Sequence, residues 1–198
     1  MALLNNNLAV ISSGWLTEMV SQAMRPENGA VGAKLYFDNG TIQHGGVILV
    51  LGPDGVAGHS HKGSPRNATG YFGRLMLRQN LSAVTAAYLV VQRSIYHEVG
   101  GLNQERLKVA FNDVDFGLKI TAAGYRNLWT PYAEVYHYES ISRGYEVTPE
   151  KHRRFETEKD YMYLQWGDSL AQDPYYNLNL TADVEGFSIA WPPRTDWG

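Results

Sequence analysis

The sequence predicts a single α/β domain, and three observations carry that expectation. Strand-like apolar runs alternate with amphipathic helical stretches along the chain. Turn signals separate them at short intervals. The composition is that of a packed globular protein, 198 residues with 44% apolar and 19% charged, enough for a sizeable core without a covalent staple.

The elements follow in order. Leu3-Leu4 reads as the end of a buried strand with almost nothing before it, so we expect a piece of a longer protein, cut through a sheet. Residues 13–24 form a helix: Ser12 or Ser13 caps it, Trp15, Leu16, Met19, Val20 and Ala23 lie on one stripe, and Arg25-Pro26 stops it. Residues 30–37 and 41–51 are paired strands turned by Asp38-Asn39-Gly40, because Asn-Gly accepts positive φ. Gly52-Pro53-Asp54-Gly55 makes a second turn, and residues 57–69 read as a polar surface loop. Residues 84–91 are a buried strand, and 94–99 a short helix ended by Gly100-Gly101. Residues 113–123 form a helix closed by Gly124, and 127–129 and 134–137 are short strands around Pro131. Thr148-Pro149-Glu150 opens a long helix that Gly167 ends, and a turn-rich aromatic tail follows. One domain over 1–198 is expected, with its core at 1–145 and the helix and tail at 146–198.

Composition excludes several functions. The absence of cysteine removes disulfides, thiolate metal sites and a Cys nucleophile, and fits a reducing compartment. Seventeen basic against twenty acidic residues leave a net charge of −3, which argues against general nucleic-acid binding. No run approaches the roughly 20 apolar residues of a membrane span. Neither Gly45-Gly46 nor Gly100-Gly101 forms a phosphate loop opening a helix, and there is no Gly-x-Ser-x-Gly elbow.

Three segments could carry chemistry. Asn112-Asp113-Val114-Asp115-Phe116-Gly117-Leu118 places two carboxylates in a first helical turn. Acids there are stabilised by the helix dipole, so capping by Asn112 with structural acids competes with a chemical role. The stretch from Trp129 to Gly144 holds His137, Ser142 and Arg143: imidazole can bind a metal, and Arg with Ser can hold phosphate oxygens, against the plainer reading of a solvated loop. His59-Ser60-His61 lacks a third ligand nearby and reads as surface-loop histidines.

Taken in order, these segments resemble the second half of a family 2 glycosyltransferase, the bacterial inverting type with a GT-A fold. The likeness is strongest to rhamnosyl- and other sugar-transferring enzymes of surface polysaccharide assembly. It runs from Leu3-Leu4-Asn5-Asn6-Asn7 through Ile42-Gln43-His44-Gly45-Gly46, Leu81-Ser82-Ala83-Val84-Thr85-Ala86-Ala87, Asn112 to Leu118, and Tyr136-His137-Tyr138-Glu139-Ser140. It implies a partial GT-A fold, a mixed sheet flanked by helices, with the N-terminal nucleotide-binding half absent. It also implies sugar transfer with inversion from a nucleotide-sugar donor to a glycan acceptor, in the cytoplasm or at the inner face of the membrane. Asp113 matches the general base. Thr85 and Ala86 match the acceptor side, and Asp115 would fix the acceptor or the helix end. Ser142 and Arg143 match diphosphate contacts.

The family's metal, magnesium or manganese, would use His137 and the position of Asn7. Acids usually stand where this chain has Asn7 and Ala9, and hard cations want carboxylates, so a divalent ion should bind poorly. From the missing half we expect weak or no turnover by the chain alone, and either self-association through an exposed sheet edge or an N-terminal segment that folds back to cover the gap. The alternative is a degenerate homologue that binds glycan or scaffolds an assembly complex without catalysis.

Overall fold

The computed structural model describes residues 1–52, 54–138, 148–183 and 186–194. In chain order these form β1 (Ala2–Leu4), β2 (Leu8–Val10), α1 (Trp15–Ala23), β3 (Asn28–Tyr36), β4 (Ile42–His44), β5 (Val47–Leu49) and β6 (Ala57–His59). A kinked 3-10 turn at Tyr71–Met76 leads to β7 (Gln79–Leu81), β8 (Tyr88–Val91), α2 (Arg93–Glu98), α3 (Asn112–Ala122), β9 (Arg126–His137) and α4 (Pro149–Ala171).

The main sheet is ordered β1-β8-β3-β9-β2, with β4 on β3 and β7 on β9. Only the β3–β9 pair is parallel, so the sheet is mixed, as expected. Strand alternation splits the core between its two faces. Val31, Ala33 and Leu35 pack with Met19 and Ala23 of α1. Ala30, Leu89 and Trp129 pack on the other face with Ile95 of α2 and with Phe116 and Ile120 of α3. Val47, Leu49, Val114 and Leu118 extend the core to Met162 and Leu170 of α4.

Several expectations are corrected. The return strand 41–51 is broken, because Gly46 takes φ +100° and turns the chain out of β3's reach. The released β5 pairs instead with β6, which the polar composition of 57–69 had suggested was loop. Only 88–91 of the stretch 84–91 is strand. Pro131 does not divide the last strand: the register against β3 slips between Gly32 and Lys34, and the slack holds residues 130–133 while β9 continues. Gly167 does not end α4, which continues to Ala171; Thr148 caps its start, Oγ1 accepting from Lys151 N.

The docking of α3 sets up the site. Asn127, fully buried in β9, donates from Nδ2 to Ser82 O at 3.0 Å and to Gly117 O at 2.9 Å. Gly117 permits that approach: a Cβ there would lie 2.6 Å from Ala83 Cβ and 2.8 Å from Ser82 O. The obstacle is backbone and cannot swing away, so Gly117→Ala should cost about 1–3 kcal/mol by overpacking. Urea unfolding reads this; an unchanged midpoint would show that α3 is not wedged there.

Candidate functional site

The end of β1, the turn into β8 and the start of α3 enclose an open cleft of about 890 Å³. Asn5, His59, Thr85, Ala86, Asp113 and His137 are among the residues that line it. The fold therefore brings together four of the residues singled out in the sequence: Thr85, Ala86, Asp113 and His137.

Asp113 sits in the first turn of α3, where the helix N-terminus favours its charge. Its Oδ1 accepts from Val114 N at 3.0 Å, and its Oδ2 from Ala86 N at 3.4 Å, tying the carboxylate to the turn before β8. The entry to α3 is not capped as expected. Phe111 occupies the cap position in a left-handed conformation, φ +58°, with no side-chain cap. Asn112 points back into the preceding loop, accepting from Asn103 N at 2.8 Å and donating to Leu107 O at 2.7 Å.

Asp115 does not line the cleft. It is fully buried, accepts from Trp166 Nε1 at 2.8 Å and has Lys119 Nζ 2.7 Å from Oδ2. It is therefore not placed to contact an acceptor in the cleft, and its bond to Trp166 joins α3 to α4. Ser142 and Arg143 lie outside the described residues.

The histidines are more ordered than their sequence context suggested. His137 Nδ1–H donates to Gln43 Oε1 at 2.7 Å, so Nε2 carries the lone pair that accepts from Asn5 Nδ2 at 3.1 Å. His59 is not a surface-loop residue: it lies in β6, 2.8 Å from His44 through their Nδ1 atoms. His61 accepts from Tyr71 N at Nε2 and stacks on Phe187. Asn5, His44 and His59 were not assigned a role from sequence. The run Gln43-His44-Gly45-Gly46 carried the signal, because a strand-end Gln-His pair beside a Gly-forced break has to find partners off the strand.

Burial holds His44 well below the ordinary imidazole range, with His59 and His137 adding to the effect. Burial likewise pushes His61 down to about 4, helped by Arg74 and Lys34. The unfolded chain protonates such imidazoles near pH 6.5, the folded chain only at lower pH. Folding stability contributed by these groups is therefore intact above about 6.5 and declines as pH falls toward 4. The urea midpoint should drop between pH 7 and pH 5; a flat profile together with a His61 titration near 6.5 would contradict this packing.

The fold and the cleft set the frame for comparison with known proteins. The chain is 54% identical over 191 residues to an uncharacterized protein, y4gI, of Sinorhizobium fredii, covering 96% of this chain and 21% of that protein. It is 39% identical over 184 residues to the O-antigen biosynthesis protein RfbC of Myxococcus xanthus, covering 90% and 14%. Its fold matches a crystal structure of GalNAc-T7 with UDP, GalNAc and Mn2+ at a TM-score of 0.54 and 15% identity, covering 89% of this chain and 35% of that one. It is also 27% identical over 166 residues to the N-acetylglucosaminyl-diphospho-decaprenol L-rhamnosyltransferase of Mycobacterium tuberculosis, covering 76% and 50%.

In sequence and in fold the chain is similar to family 2, GT-A-like glycosyltransferases.

No family model matches it. The chain spans no more than half the length of these curated relatives. Its mixed α/β architecture is a partial GT-A fold.

The structural neighbour was crystallised with Mn2+, so the residues here can be tested against such an ion. They do not fit it. At the turn between β1 and β2 the side chains are the neutral amides of Asn5, Asn6 and Asn7, and Ala9 offers none. Asn7 does not line the cleft, and its carbonyl accepts from Tyr138 N at 2.9 Å. His137 Nε2 is already engaged by Asn5. Among the described residues no three His, Asp or Glu side chains are grouped to hold a metal. Among them also, no helix is long and apolar enough to cross a membrane.

Proposed function

We propose that this chain supplies the acceptor side of a sugar-transfer site, with Asp113 as general base. The observation that supports this reading is the convergence of Asp113, Thr85 and Ala86 on one cleft, with the carboxylate held by the Ala86 and Val114 amides. A glycan hydroxyl binds there and attacks the anomeric carbon of a nucleotide-linked sugar. The new C–O bond forms as the bond from that carbon to the diphosphate oxygen breaks, so the sugar inverts. The hydroxyl becomes acidic only as it attacks, and its proton passes to an Asp113 oxygen. A carboxylate with each oxygen already accepting one N–H keeps a fixed direction yet retains lone pairs for that proton.

The donor is a nucleotide sugar and the acceptor a glycan of surface polysaccharide assembly, handled in the cytoplasm or at the inner membrane face. Among the described residues β1 and β2 each pair with one strand only, which supports association with a second copy or with another sheet. Incubating the chain with UDP-, GDP- and dTDP-linked sugars and a glycan panel should give glycan binding with only slow transfer. Robust transfer by these 198 residues would contradict the division between acceptor and donor sides.

The amides at Asn5 to Asn7 and the methyl of Ala9 favour a second reading, a homologue that binds glycan without transfer. Manganese titration separates the two. Tight stoichiometric binding that perturbs His137 counts against degeneration. No binding, with slow transfer still measurable, points to chemistry that does without the ion.

A further inference from the structure

The turn at Tyr71–Met76 shows water an apolar face that does nothing for the core. Phe72 is 89% exposed and holds φ +47°, a left-handed backbone that a phenylalanine rarely adopts. It joins none of the hydrophobic clusters, and its ring meets that of its neighbour Tyr71 edge-on at 4.7 Å. Met76 and Leu77 beside it are 55% and 58% exposed. Backbone strain kept at an exposed apolar side chain points to function rather than to folding.

The turn is nevertheless braced. Leu75 is 2% exposed and anchors it in the core. Leu75 N donates to Thr69 O at 2.9 Å, Tyr71 N to His61 Nε2 at 3.0 Å, and Tyr132 OH to Met76 O at 3.3 Å. The exposed side chains therefore stand on a fixed support.

The surrounding sequence is basic. Residues 55–97 hold Lys62, Arg66, Arg74, Arg78 and Arg93 and no acid, in a chain of net charge −3. Acids from elsewhere answer some of these. Glu18 accepts from Arg78 Nε and Nη2 at 2.7 Å, and Glu134 stands 3.7 Å from Arg66. Buried Asp173 attracts Arg74 through space while accepting from Leu49 N at 2.6 Å. Lys62 is exposed, its Nζ 5.7 Å from the centre of the Phe37 ring, and the Arg74 guanidinium lies 5.7 Å from that of Phe187. Neither Lys62 nor Arg74 is in an ion pair among the described residues.

We propose that this turn is a membrane-docking surface. Phe72, Met76 and Leu77 enter the interface of an anionic bilayer, and Lys62 and Arg74 supply the charge that attracts it. Exposed apolar side chains beside unpaired cations are what such an interface binds. An acidic chain is otherwise repelled by anionic lipid, so a basic, acid-free stretch decides which face approaches. Met76 and Leu77 offer a sugar neither a flat ring nor a strong hydrogen bond, which favours lipid over glycan here. None of Tyr71, Phe72, Met76 and Leu77 lines the cleft, so the inference goes beyond the acceptor-side reading and stands without it.

The chain has no cysteine, so single cysteines can carry the polarity-sensitive dye NBD. Phe72→Cys is labelled, and so, as a control, is Leu164→Cys on α4, at a position 87% exposed. Each is titrated with vesicles of phosphatidylcholine alone or mixed with phosphatidylglycerol. The label at 72 should brighten and shift to the blue with the anionic vesicles, and the label at 164 should not. Unlabelled Phe72→Asn should keep or raise the urea midpoint, because asparagine accepts the left-handed backbone. It should bind anionic vesicles about tenfold more weakly, the scale of one apolar ring left in water.

Equal responses at 72 and 164, no preference for anionic vesicles, or undiminished binding by Phe72→Asn would each overturn the proposal. So would a blue shift at 72 caused by soluble glycan, or by raising the protein concentration without vesicles. Those results would give the face to a sugar or to a second copy. A lower urea midpoint for Phe72→Asn would give the ring a folding role and overturn it as well.

Discussion

Replacing Asp113 with asparagine is expected to lower sugar transfer by about 10²–10⁴-fold, the usual worth of a positioned general base. Asparagine keeps the shape, and its one accepting oxygen can hold the 3.0 Å bond from Val114 N while the 3.4 Å bond from Ala86 N is given up, so α3 should survive with a small loss at the turn before β8. What it loses is the basic oxygen that takes the acceptor proton. Glycan affinity should change little, because the ground-state hydroxyl needs only an acceptor there. Radiolabelled sugar incorporation is sensitive enough for the slow rate expected of this chain. A variant that transfers at the wild-type rate would remove Asp113 from the chemistry; one that unfolds would show the carboxylate to be structural.

Glu158→Ala should have the largest effect on stability. This α4 carboxylate is 2% exposed and belongs to none of the segments singled out in the sequence. It accepts from three consecutive backbone amides, Lys108 N at 3.1 Å, Val109 N at 3.3 Å and Ala110 N at 2.6 Å. Arg154 Nε stands 3.7 Å from the same group. Residues 108–111 form one wall of the cleft and lead into α3, so one side chain of α4 shapes the approach to Asp113. Alanine leaves three donors without their anion and removes the carboxylate 3.7 Å from Arg154. Water can reach the exposed parts of the loop and recover some of the loss, so we expect a cost of about 2–4 kcal/mol. Urea unfolding and hydrogen exchange at residues 108–110 measure it. Glu158→Gln, which keeps one accepting oxygen, should fall between. An unchanged midpoint and unchanged exchange would show the loop to be held from elsewhere.

Local signals in the sequence carried much of the fold. The cap of α4 at Thr148, the Gly124 stop after α3 and the Asn-Gly turn are all short-range, and all appear. Of the α1 stripe only Met19 and Ala23 are buried, Leu16 and Val20 being exposed, and Gly14 rather than Ser12 or Ser13 stands at its cap. What failed was pairing. Whether β5 continues β4 or turns away depends on one positive φ at Gly46 and on a partner strand that looks polar. Pro131 reads as a strand break until β3 supplies a register slip that absorbs it.

The site divides the same way. Asp113 was legible because its run has a recognisable order, and Thr85 and Ala86 came with it. Asn5 meets His137 across 132 positions, and no local pattern announces such a contact. The assignment of Asn112 as a cap was sound in chemistry but mistaken in geometry: the left-handed Phe111 takes that place and frees the amide to brace the loop before it. Asp113 and Asp115, two residues apart, take unlike roles because a helix turns them about 200° apart, one to the cleft and one to Trp166.

Amide chemical-shift mapping with a glycan panel tests the acceptor cleft most directly. Shifts gathered on Ala86, Asp113, Val114 and His59 are the predicted result. Shifts confined to other surfaces, or none across the panel, would contradict an acceptor site beside Asp113.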